Sequence, residues 1–472
     1  MLKKVVEQLS ADQYEALHLE LSTNRGEKFL RLLELCREPG LDDGELRKGT
    51  GANNAAFYTL KSRLYDKVQQ FLFRTASDNR AELLKNISSI PYLMYHAPRE
   101  TAISMLEHLE SELKLVDMPA ELVAVYNALK KLHLHSSNYY HYQQLYNKSV
   151  AYALALDKAD ELASMFTREL GQYLLSHDES KKEILKLYLK ELVNVSRLYE
   201  SHRLRVTLIT VGVAYALFAD NRNEIPETED TVEEQLQQLR NVLDSHPDDR
   251  RYRFLSVMHH FFVFEYYHRL GLHKNAAAAY EKVNQQVDDL LHLHHSCPSA
   301  HFLFSRAERL VQVPAQEYKP LTHFEANPDD TFTYVYCLVA EAAHEFYETK
   351  YAEAATLLNR VLNDISFKNF PFAECEVKLF LSLALLLAGK TEQAEITIRS
   401  ITRKLAGEDL ANRFAPAHAF GRFLKTALND TSSQKRSKVE QAWTTFQRDN
   451  IGPDALLKFI RLDDKQLDVL SK

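Results

Sequence analysis

Three stretches of this chain align with one another without a gap. They are "FEYYHRLGLHKNAAAAYEKV" (Phe264–Val283), "AAHEFYETKYAEAATLLNRV" (Ala342–Val361) and "SLALLLAGKTEQAEITIRSI" (Ser382–Ile401). Each reads as a helix, a break with one or two polar residues, then alanine and a second amphipathic helix. The small residue that opens the second helix falls at Ala276, Ala354 and Ala394. The last two are 40 residues apart and the first two 78, close to two periods of 39, with room for a degenerate copy around "SAHFLFSRAERLVQV". This self-similarity constrains the fold more than any other feature. A unit of two helices cannot bury its apolar face alone and must stack on a neighbour.

The rest of the chain has the same grain. In "EKFLRLLELC", Phe29, Leu32, Leu33 and Cys36 share one helical face. In "ETAISMLEHLESELKLV", Ala102, Met105, Leu106, Leu109 and Leu113 do so. No long stretch alternates apolar and polar with period two, so strands are not expected. With 12 glycines and 13 prolines in 472 residues, the chain is poor in the turns that sheet-rich folds need. Its 45% hydrophobic and 26% charged residues are globular values.

The aligned segments resemble the tetratricopeptide-repeat family. The matching residues are Gly271 and Gly389 at the turn between helices, Ala276, Ala354 and Ala394 at the start of the second helix, and the bulky Tyr280, Leu358 and Ile398 four positions on. A tight turn and a small residue at the helix contact are what two antiparallel helices need. The resemblance covers roughly the last 200 residues and departs from the family in a period longer than ~34. Thr349 also stands where the other two copies have glycine, and the family's opening Trp and closing Pro have no clear counterpart. It implies stacked helix pairs with a concave groove that binds peptides or partner helices. Residues Glu100 to Leu217 hold pairs of similar length that match less well.

The expected architecture is therefore all-α: a superhelical array of antiparallel helix pairs, a tetratricopeptide-like α-solenoid, behind an N-terminal helical module. Breaks at "FRTASDNRAE", "ADNRNEIPETEDTVEE", "VPAQEYKPLTHFEANPDD" and "ALNDTSSQKRSK" suggest a module over 1–78, a middle helical region over 79–225, and a tetratricopeptide-like region with terminal capping helices over 226–472. "NIGPDALLKFIRL" predicts a helix start, with Pro453 in its first turn.

The N-terminal stretch "LDDGELRKGTGANNAAFYTLKSRLYDKVQQFLF" reads as a short helix, a glycine turn and a long helix, the layout of a DNA-binding helix-turn-helix and equally of two packed helices. Phe57, Leu60, Leu64, Val68 and Phe71 form one stripe, which argues for packing along most of the long helix. Lys61 projects near that stripe and is expected to turn its head outward. Arg47, Lys48, Arg63 and Lys67 are the candidate nucleic-acid contacts. The arrangement also resembles an N-terminal module that precedes helical repeats in uncharacterised bacterial proteins, which implies no activity. The formal net charge of −7 and pI near 6.3 disfavour nucleic acid as the main partner.

For protein contacts, "SSNYYHYQQLYNKSVAYAL" is dense in tyrosine, and Tyr139, Tyr140, Tyr142 and Tyr146 are the candidate partner-binding residues. Tyrosine also packs routinely between helices. "HLHHSCPSAH" places His292, His295, Cys297 and His301 near one another, the basis of a remote metal-enzyme reading. Pro298 interrupts its geometry. "HEFYE" lacks the second histidine of a zincin helix, and no phosphate loop, G-x-S-x-G or G-x-G-x-x-G occurs. No catalytic, cofactor-binding or metal residue is assigned. The N-terminus lacks the features of a signal peptide. The longest apolar run, Val206–Ala219, is shorter than the ~20 residues a membrane span requires, so no membrane insertion is expected. The scattered Cys36, Cys297, Cys337 and Cys375 read as buried thiols of a cytoplasmic protein. The leading functional expectation is a non-catalytic scaffold or adaptor for a protein or peptide partner. The alternative is a regulator whose N-terminal module contacts nucleic acid while its repeats bind a protein or peptide.

Overall fold

A computed structural model describes residues 2–7, 9, 11–23, 27–38, 41–75, 79–220, 225–226, 228, 230–247, 250–286, 306, 309, 327–406, 414–450 and 455–472. Among these the regular structure is helical, with no strand, as the periodicity predicts. The chain forms two compact units, Met1–Ala153 and Leu154–Lys472.

The first unit contains α1 (Leu2–Glu7), α2 (Ala11–Thr23), α3 (Glu27–Arg37), α4 (Asp43–Thr50), α5 (Asn54–Thr75), α6 (Asn79–Ser88), α7 (Ile90–His96), α8 (Arg99–Leu115), α9 (Pro119–Leu132) and the start of α10 (Asn138–Ser176). Helices α1 to α5 share a core that includes Leu32, Leu33, Leu46, Phe57, Leu64, Val68 and Phe71. Four residues of the sequence-predicted α5 stripe are thus buried, and Leu60 packs against them half-buried. The boundaries of α4 follow from local chemistry. Asp42 and Glu45 form a reciprocal capping box, with bonds of 2.8 and 2.9 Å. Gly51 ends the helix in the left-handed region (φ 66°), which glycine adopts without steric cost. Asn53 then caps α5, accepting from the Ala56 N–H at 2.9 Å.

The second unit continues α10 and adds α11 (Glu179–Ser196), α12 (His202–Tyr215), α13 (Val232–Ser245), α14 (Arg250–Arg269), α15 (His273–Gln285), α16 (Thr331–Tyr347), α17 (Tyr351–Asp364), α18 (Pro371–Leu387), α19 (Thr391–Leu405), α20 (Ala415–Asn429), α21 (Lys435–Asp449) and α22 (Asp464–Leu470). The apolar run from Val206 is the buried α12, which closes in a π-helical turn at Ala216–Asp220. Among the described residues no helix is long and apolar enough to cross a membrane. Each helix from α16 to α21 packs on the next in sequence.

The three aligned segments fold as α14–α15, α16–α17 and α18–α19, and their joins are alike. Gly271, Thr349 and Gly389 all take left-handed backbones, with φ of 70°, 61° and 74°. In each, the next N–H bonds back across the turn: Leu272 to Tyr267, Lys350 to Glu345 and Lys390 to Leu385, at 2.9–3.0 Å. Ala276, Ala354 and Ala394 are buried, as are Tyr280, Leu358 and Ile398. Pair α8–α9 of the first unit closes the same way, with Asp117 at φ 51° and Met118 N–H bonded to Leu113 at 3.1 Å.

Thr349 carries the cost that glycine avoids. A left-handed backbone costs an ordinary residue about 1–2 kcal/mol, partly offset in a Gly variant by the greater freedom of its unfolded chain. Thr349→Gly should stabilise the second unit by roughly 0.5–1 kcal/mol. Urea unfolding followed by the single tryptophan, Trp443, reads this directly; a destabilised variant contradicts the argument.

One expectation fails. Residues 455–463 are not helical, and the terminal helix starts only at Asp464. Pro453 lies outside the described residues. The segment instead forms a strap whose Leu456, Leu457, Phe459 and Ile460 are all buried. A surface helix would bury one face only. Here the apolar residues face inward from an irregular backbone, whose hydrogen bonds come from side chains of other elements, from one turn of its own (Ile460 N–H to the Leu457 carbonyl, 2.9 Å) and from Arg461.

Candidate functional site

The tyrosine stretch splits into core and surface. Tyr142 is buried, stacks on His133 at 5.1 Å and donates to Glu107 at 2.9 Å. Burial, then that bond and the negative charge of Glu107, push its pKa up. Tyr126 lies 6.5 Å away and is raised in the same way, by burial and then Glu110. Tyr146 is half-buried beneath the Lys130 ammonium, 4.4 Å from the ring centre. Tyr139 is half-buried against Tyr140, and Tyr140 is 75% exposed. The four candidates therefore do not form one surface: Tyr142 holds α10 to its neighbours and Tyr140 faces solvent.

The basic candidates of the N-terminal module are also dispersed. Arg47 is half-buried and donates to Asn54 Oδ1 at 3.2 Å, across the turn. Lys48 and Arg63 are exposed. Lys67 lies 5.5 Å from the centre of the Phe29 ring. Lys61 reaches Asp43 at 2.6 Å, so its head turns outward onto a carboxylate. On α5 the residues Asn54, Ala55, Tyr58, Thr59, Ser62 and Asp66 are exposed, a face that is neutral until the acid in its fourth turn.

Basic residues at the start of α21 meet carboxylates. Arg436 pairs with Glu440 and Asp468 at 2.6 and 2.5 Å, and Lys438 with Asp430 at 2.8 Å. Glu374 bridges Lys378 and Lys404, tying the start of α18 to the end of α19. Between α11 and α12 a cleft of about 620 Å³ is bordered by Arg197, Tyr199, His202, Arg205 and Leu208. His202 is engaged in its wall, with Nδ1 at 2.5 Å from the Tyr252 hydroxyl and its ring stacked on His246 at 4.1 Å. Among the described residues no cluster of His, Cys, Asp and Glu is placed to hold a metal. His292, His295, Cys297 and His301 lie outside them, as does the degenerate copy around "SAHFLFSRAERLVQV" apart from Arg306 and Arg309.

Among the described residues of the second unit, the strap is the segment most completely gripped by side chains of other elements. Leu457 N–H donates to Glu376 Oε1 of α18 at 2.8 Å. The Tyr347 hydroxyl of α16 donates to the Phe459 carbonyl at 2.7 Å and accepts from the Arg461 N–H at 3.1 Å. Burial pushes the pKa of Tyr347 up to about 12, which keeps this hydroxyl protonated as a donor. Asn450 brackets Leu456 through both its N–H (2.9 Å) and its carbonyl (2.7 Å). Phe459 meets Phe380 edge-on at 5.3 Å, and Gln466 of α22 donates to Tyr351 at 3.1 Å. Tyr347 and Glu376 were not singled out in the sequence. The local pattern in "ALLKFIRL", with Leu456, Phe459 and Ile460 at i, i+3 and i+4, points to a helix, so it gives no signal of the strap. No protein-family model matches this chain, and no curated protein or solved structure matches it.

Proposed function

We propose that the chain is a non-catalytic scaffold that binds a protein or peptide on a row of antiparallel, tetratricopeptide-like helix pairs stacked as a solenoid. The observation that carries this reading is the shared left-handed turn of α14–α15, α16–α17 and α18–α19, each followed by a buried alanine. Pairs built to one plan stack repetitively and present continuous surfaces suited to extended ligands. The buried thiols of Cys337 and Cys375 support a reducing, cytoplasmic setting. Burial pushes the Cys375 thiol up to about 12 and raises that of Cys337, so neither is primed as a nucleophile. Selection of random displayed peptides on the full chain tests the reading. Enriched peptides should bind saturably and slow amide exchange in α16–α19; failure to enrich any peptide, or protection confined elsewhere, defeats it.

A second reading has its own support. The first turns of α5 are open, with Asn53 through Ala56, Tyr58 and Thr59 exposed beyond the tight turn at Gly51, and Arg47 and Lys48 lie in the last turn of α4 before it. A recognition helix presents its N-terminal residues to base edges in this way. On this reading duplex DNA binds the chain with an affinity that falls steeply with salt, and Lys48→Glu or Arg63→Glu each lowers the salt slope by about 1. Unchanged affinity and slope in both variants rule out this contact.

A further inference from the structure

We propose that the recess formed by α16 and α18 is a peptide-binding site, that residues Ala455–Ile460 are its internal ligand, and that a short apolar, basic peptide from another chain displaces them. This deepens the scaffold reading and rests on it. The strap is held as a separate peptide would be. Its side chains fill apolar space: Leu457, Phe459 and Ile460 are each 0% exposed. Its backbone is met by side chains, Glu376 and Tyr347, and not by a ladder or helix. Contacts to backbone do not depend on side-chain identity, so they accept any sequence whose apolar residues fit the recess.

The occupant's chemistry follows from the occupant present. The pattern present is Leu-Leu-x-Phe-Ile-Arg: its apolar residues are buried, Lys458 and Arg461 are exposed, and the Arg461 guanidinium donates to the Lys458 and Ile460 carbonyls, which holds the bent backbone in shape. The internal ligand also carries a cost. Leu457 sits at φ 51°, a left-handed conformation unfavourable to a γ-branched side chain. Part of the gain from burial is therefore lost to backbone strain, which favours exchange.

The test uses the full chain carrying Phe459→Asp, which places a charge where the recess is apolar and expels the strap. The probe is a fluorescein-labelled, end-blocked peptide of residues 455–462. Anisotropy should show saturable binding to this variant, at least tenfold weaker binding to the natural chain, and loss of binding when Tyr347→Phe and Glu376→Leu are added. Circular dichroism and Trp443 emission check that the helices persist. A folded variant that ignores the probe overturns the proposal.

If Phe459→Asp does not fold, the natural chain with a protease site inserted within 451–454 is cleaved and mixed with excess labelled peptide of residues 455–472. Exchange of the nicked segment for the probe supports the site; retention without exchange overturns it. Displayed peptides that bind α16–α19 equally well with and without Phe459→Asp leave the scaffold reading standing and sink this one. Formation of dimers by Phe459→Asp chains, with no binding of the probe, assigns the recess to a second copy and also overturns it.

Discussion

Replacing Phe380 with alanine is expected to remove about 3–5 kcal/mol from the stability of the second unit, the range for deleting a buried aromatic ring. Phe380 is fully buried on α18. Its ring meets Phe346 of α16 edge-on at 5.7 Å and Phe459 of the strap at 5.3 Å. Truncation leaves a cavity between two elements that flank α18 in the sequence and meet on its ring. Edge-on contacts of this kind add about 0.5–1.5 kcal/mol each beyond area burial, so the loss should lie in the upper part of that range. Urea titration followed by Trp443 emission measures it, since Trp443 is buried on α21 in the same unit. A loss below about 1 kcal/mol would mean that the site collapses around the missing ring or that the ring is not packed as described.

Acidification should weaken the packing of α13 and α14. His259 is buried on α14 and its Nε2 lies 3.2 Å from the Leu236 carbonyl of α13. Burial pushes its pKa down to about 4, reinforced by His260 and Arg240 and opposed by the Leu236 carbonyl and Asp244. His260 is lowered as well, by burial, Lys282 and Arg240. In the unfolded chain a histidine titrates near 6.5. Below that pH the unfolded state takes up a proton that the folded state refuses. The stabilisation from the neutral ring is thus complete above about pH 6.5 and declines as pH falls toward 4. At 1.36 kcal/mol per pKa unit, His259 alone accounts for about 3 kcal/mol across that window. Hydrogen exchange of α13 and α14 amides, corrected for intrinsic rates, should show this loss, and His259→Leu should flatten it. An equally steep loss in the variant would assign the effect to other groups.

Much of the helical framework was legible because its signals are local. The α5 stripe at Phe57, Leu64, Val68 and Phe71 is a 3.6-residue period, and burial follows it. Gly271 and Gly389 announce left-handed turns through their lack of a Cβ. Thr349 and Asp117 take the same backbone without that announcement, so their turns could not be read from residue type. The tyrosine stretch shows a second limit. Tyr140 and Tyr142 are two positions apart, and helical geometry sends one to solvent and the other to the core. Composition marks both as contact residues and cannot say what either touches. The strap shows a third. Its conformation is set by Tyr347 and Glu376, about a hundred positions upstream in the chain, and no window of local sequence contains that information.

That separation has a kinetic consequence. The helix pairs close through turns of a few residues, whereas the bond from Tyr347 to Phe459 joins positions 112 apart. Local contacts form early and long loops close slowly, because chain entropy must be given up before the contact rewards it. Docking of the strap is therefore expected to be the last event in folding of the second unit. A newly made chain would pass through a stage in which its helices are formed and the recess is still open. In stopped-flow refolding this stage would appear as helix signal at 222 nm preceding the final change in exchange protection at Leu457. Simultaneous recovery of both signals would show that the strap folds with the pairs.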